Sequence, residues 1–169
     1  MGAAKIDHLL LQILDKYLLP CPSAQDDLLE GDSPLATFSS RIRACHRLGL
    51  IDDQFAKLLN TFRKLRNGFA HEVESGSLKA GSARDRTIAM AEPFAKTEFF
   101  RALVGWIAAE TKRDPSDAGV VFRASLAMFH LQLVRLHEEL APVERSKSLD
   151  VVTRCARAEA PEKYAPKAG

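Results

Sequence analysis

Arg66 and His71 stand five residues apart, with four residues between them, in the run Arg66-Asn67-Gly68-Phe69-Ala70-His71. A guanidinium fork can hold a phosphate and stabilise negative charge that builds up on it. An imidazole that titrates near neutrality can take or return a hydroxyl proton. Asn67 would add an amide beside them. Leu59, Phe62, Arg66 and Phe69 fall on one helical stripe, so Arg66 is expected at the apolar shoulder of its helix. A guanidinium placed there must find a partner or reach out to water. The partner would be a carboxylate of the first helix, Asp7 or Asp15, or a ligand in a cleft between protomers; otherwise the group lies on the open surface. His71 lies about 140° further round an unbroken helix. The two side chains would converge only if Gly68 breaks the helix or a second subunit contributes.

A second set could bind phosphates without reacting. Arg43 and Arg47 are four apart on one helix face with Ser39 or Ser40, and Arg63 shares a polar stripe with Asn60 and Asn67. Arg41 completes the candidate nucleic-acid contacts. Residues 33–66 carry seven cations against Asp52 and Asp53, whereas residues 1–32 carry two lysines against six carboxylates. Such a block attracts phosphates, or it faces the acidic first helix.

Other chemistries are not supported. His130 and His137 are seven apart, with no cysteine or carboxylate set to complete a metal site. They are expected to be half-buried, hydrogen-bonded histidines. Cys21, Cys45 and Cys155 form no CxxC pair and are odd in number, so free thiols of a reducing cytoplasm are expected. No GxGxxG, P-loop, HExxH or nucleophile elbow occurs. No metal and no cofactor are therefore expected. No apolar stretch approaches the length of a membrane span, and no secretion signal is read at the N-terminus.

The elements that must position these residues are helical. Ile6, Leu9, Leu10, Ile13, Leu14 and Tyr17 predict a helix over 3–19, stopped by Pro20 and Pro22. Ser33-Pro34 reads as an N-cap followed by a first-turn proline, predicting a helix over 34–48 that ends at Gly49. Phe55, Leu58, Phe62, Leu65 and Phe69 predict a third helix from 53 to 67 or beyond. Residues 72–88 read as an exposed loop, with a helical turn over 86–92. A broad apolar face, including Trp106 as core or interface, predicts a fourth main helix over 94–112. Phe122, Leu126, Phe129, Leu133, Leu136 and Leu140 predict a fifth over 117–140. The chain of 169 residues, 46% apolar with a net charge of +2, is long enough to bury a core unaided. The expectation is an all-α, single-domain bundle of about five helices over 1–145. A short helix near 148–158 and a mobile tail are expected within 146–169.

The segment Ser33 to His71 resembles the mannitol operon repressor family of bacterial proteins. The features that carry the resemblance are Leu35, Phe38, Ser39, Arg41 and Ile42, then Leu48-Gly49-Leu50-Ile51, then Arg63-Lys64-Leu65-Arg66-Asn67 running into Phe69-Ala70-His71. It implies an all-helical fold and a role in repressing genes for sugar-alcohol uptake. The closing residues are similar to the signature of the broader HEPN group, many of whose members resemble metal-independent endoribonucleases that act as dimers. That implies catalytic Arg66, Asn67 and His71 acting on a ribose 2′-hydroxyl and its phosphate. The Arg-to-His spacing occurs three times, from Arg41 to His46, Arg66 to His71 and Arg123 to His130; only Arg66 is followed by a polar residue.

Two functions are expected from this. The first is a cytoplasmic transcriptional regulator, acting on DNA, RNA or a protein partner and working as a homodimer away from membranes. The alternative is a metal-independent endoribonuclease built on Arg66 and His71. The second and third helices meet at a short turn, but neither presents an obvious base-reading face.

Overall fold

A computed structural model describes residues 2–71 and 81–143. The described chain is all-helical. Six helices run in the order α1 (Ala3–Tyr17), α2 (Phe38–Arg47), α3 (Asp53–His71), α4 (Gly81–Ala91), α5 (Glu98–Thr111) and α6 (Ala118–Glu139), with no strand among the described residues. The expected loop over 72–88 is corrected in its second half, where α4 forms. Its sequence gives little helical periodicity. It holds through burial of Thr87, Met90 and Ala91 against its neighbours α3 and α6, and tertiary packing of this kind outweighs propensity in short helices. Residues 72–80, the expected helix near 148–158 and the expected tail lie outside the described residues.

Helix boundaries follow the caps. α2 starts four residues later than Ser33-Pro34 suggests. Thr37 Oγ1 accepts from the Ser40 amide at 3.1 Å, and Ser40 Oγ accepts from the Thr37 amide at 3.2 Å. This reciprocal box satisfies two N-terminal amides, which a proline start cannot do. At the other end Gly49 takes φ +73°, the left-handed turn that lets the chain reverse into α3. α5 begins at Glu98 rather than 94, because Thr97 Oγ1 accepts from the Phe100 amide at 3.2 Å.

The core has two parts joined by α6. One packs α1, α2 and α3 around Leu10, Leu14, Ile42, Leu59, Phe62, Phe129 and Leu133, all nearly inaccessible. The other sets Phe100 and Ile107 of α5 against Val120, Ala124 and Met128 of α6. The predicted stripe of α6 faces the first part, while Val120, Ala124 and Met128 give the same helix a second buried face. α6 is long and apolar enough by composition to cross a membrane, but its place is that of a central core helix. The thiol of Cys45 lies fully within the first part, and burial pushes it up to about 12. Cys21 is exposed.

Asp117 starts α6. Its Oδ1 accepts from the Gly119 amide at 2.8 Å and the Val120 amide at 3.3 Å, and Arg113 lies 3.4 Å away. Desolvation pushes this carboxyl up, but the two amides and the Arg113 charge outweigh it and hold it below the usual aspartate value. A carboxyl depressed in the folded state stabilises fully above its unfolded value and loses that effect as pH falls through the folded one. The melting temperature of Asp117→Asn is therefore expected to fall less than that of the parent between neutral and acidic pH. Parallel curves for the two proteins would exclude this role.

Candidate nucleic-acid interface

The hairpin of α2 and α3 carries most of the expected binding residues, and its own core sorts them. Phe38, Ile42 and Cys45 turn one face of α2 inward, so Arg43 and Arg47 stand on the opposite, exposed face. On α3, Ala56, Leu59, Phe62 and Leu65 are buried, and Lys57 and Lys64 face away from them, exposed and about 10 Å apart along the axis. None of these four cations meets an acid among the described residues. Lys64 was not singled out as a phosphate ligand from sequence. The signal is its spacing of seven from Lys57 on the polar side of the stripe. Arg63 is half-buried, with Nε 3.4 Å from Asn60 Oδ1.

Arg41 belongs to the interior. Its Nε donates to the Leu35 carbonyl at 2.9 Å and its Nη1 to Asp7 Oδ1 at 2.8 Å, with side-chain exposures of 12% and 24% for Arg41 and Asp7. The contact between the basic block and the acidic first helix is thus made by Arg41. Ser40 is likewise taken up by the α2 cap. Asp7→Ala would strand a mostly buried guanidinium and is expected to cost about 2 kcal/mol. In denaturant titrations the double variant with Arg41→Ala should recover part of that loss; a loss equal to the sum of the two single changes would show no coupling.

Arg66 is exposed, and among the described residues it has no hydrogen bond or ion pair. The apolar stripe it continues is buried through Leu65, and Arg66 already stands in solvent. α3 runs unbroken through Gly68 to His71, so the backbone positions of Arg66 and His71 diverge by about 140° around the axis. Asn67 is exposed; the side chain of His71 lies outside the described set. His46 and Asp53 close the hairpin turn with a 2.5 Å contact between Nε2 and Oδ1.

His130 and His137 are half-buried as expected, but the expected hydrogen bonding is corrected, since neither the ring of His137 nor that of His130 has a hydrogen-bond partner among the described residues. The Nδ1 of His130 is enclosed without a partner among the described residues. No group of three or more metal-ligating side chains occurs among the described residues. No protein-family profile, curated protein or solved structure matches this chain.

Proposed function

We propose that this protein is a bacterial, cytoplasmic regulator of transcription of the mannitol operon repressor type. It acts by holding a nucleic-acid backbone on the outer face of the α2–α3 hairpin. The observation that carries this reading is the set Arg43, Arg47, Lys57 and Lys64, outward-facing and unmatched by acid among the described residues. Such a set neutralises phosphates without reading bases, so affinity tracks counterion release. Fluorescence anisotropy of labelled duplex DNA tests it. Four phosphate contacts are expected to weaken binding about 100-fold between 50 and 200 mM salt. Absent or salt-insensitive binding rejects direct contact and leaves regulation through a protein partner.

The endoribonuclease reading draws on Arg66, which is open and has no partner among the described residues. With an unbroken α3, Arg66 and His71 would have to meet across two copies of the chain. Metal-free cleavage of single-stranded RNA that is abolished by both Arg66→Ala and His71→Ala would support it; cleavage unchanged in both variants would reject it.

A further inference from the structure

Among the described residues α5 has two apolar stripes, and only one of them is packed, chiefly on α6. Phe100 and Ile107 face α6, whereas Phe99, Ala102, Trp106 and Ala109 repeat at spacings of 3, 4 and 3 on the opposite, exposed side. Phe99 is 58% exposed and Trp106 64%. The exposed stripe alternates large with small, and Gly105 beside it has nothing within 4 Å of where a Cβ would stand. Its missing methyl serves no contact within the described chain, yet a mid-helix glycine costs stability relative to alanine.

We propose that α5 pairs antiparallel with α5 of a second copy, about a two-fold axis at the level of Val104. In that register Trp106 meets the partner's Ala102, and Phe99 meets the partner's Ala109. Each ring fills the space above a small residue, as packed helices require. The helix ends then match in charge. Lys96 comes beside the partner's Glu110 on one edge, and Glu98 beside the partner's Lys112 on the other. All four are exposed, and none forms an ion pair among the described residues. A parallel pairing sets ring against ring and brings neither charge pair together. A two-fold contact of this kind is self-complementary and closed, so it stops at two copies. The four aromatic side chains bring about 500 Å² of exposed surface to the seam, which suits a small interface with micromolar dissociation.

Sedimentation equilibrium of the full chain across the micromolar range tests the proposal. The parent should dimerise with rising concentration, and Trp106→Glu should stay monomeric with unchanged helical circular dichroism, since its side chain lies outside the core. Glu98→Lys and Lys112→Glu should each weaken the dimer about fivefold. The double variant, which restores opposite charges across the axis, should recover parental affinity. A monomeric parent would overturn the proposal, as would a Trp106→Glu dimer as tight as the parent's. A double variant weaker than both single ones would overturn the antiparallel register.

Discussion

Phe129→Ala is expected to remove about 4 kcal/mol of folding stability. Phe129, on α6, is wholly inaccessible and stands where α6, α3 and the turn after α4 meet. Its ring packs edge-on against Phe55 at 5.6 Å, Phe62 at 6.3 Å and Phe94 at 6.1 Å between centroids. Truncation forfeits the transfer free energy and those three ring contacts together, and it leaves a cavity that rigid helices cannot collapse around. Domains of this size are stable by roughly 5–15 kcal/mol, so the variant should be near the limit of folding at ambient temperature. Leu131→Ala, two residues away on the exposed face of α6, should stay within about 0.5 kcal/mol of the parent. Urea midpoints compare the two directly. Equal midpoints for both variants would mean that the aromatic junction is not the centre of the core.

Removing Arg43, Arg47, Lys57 and Lys64 together should have the largest effect on binding. Each phosphate contact contributes roughly 0.9 to the slope of log affinity against log salt. The quadruple alanine variant should therefore lose about 3 to 4 from that slope, and roughly 100-fold in affinity at low salt. All four side chains leave the fold untouched, because each stands outside the core. The same measurement on Arg41→Ala separates charge from scaffold. Its guanidinium lies against Asp7, so stability should fall while the slope stays near the parental value. A quadruple variant with an unchanged slope would place the binding face elsewhere on the molecule.

The helical architecture was legible because most helices carry a single apolar stripe and a clear stop. Leu10, Ile13 and Leu14 of α1, and Leu59, Phe62 and Leu65 of α3, are buried where their spacing put them. Two helices escaped a one-stripe reading. α4 has few apolar residues, and its burial comes from neighbours far away in sequence. α6 has a second face of Val120, Ala124 and Met128, mixed among the residues of the first. At the candidate site, pattern identified the outward faces of Arg43 and Arg47, but it could not separate them from Arg41. All three are arginines of one short helix, and what distinguishes Arg41 is Asp7, 34 positions earlier in the chain. Arg66 takes the last of its three expected places, the open surface, and the sequence left that choice open for a related reason. Periodicity gives the direction of a side chain and is silent on whether another element covers it there.

The sealed sulfur of Cys45 offers a built-in clock. A thiol held up to about 12 is inert to alkylating reagents until α1, α2 and α3 separate and water enters. With Cys21 and Cys155 replaced by serine, and reagent concentrated enough that alkylation outruns reclosing, the rate at which the remaining sulfhydryl is consumed would equal the frequency of that separation. Breathing of this half of the molecule could then be timed under native conditions, without denaturant.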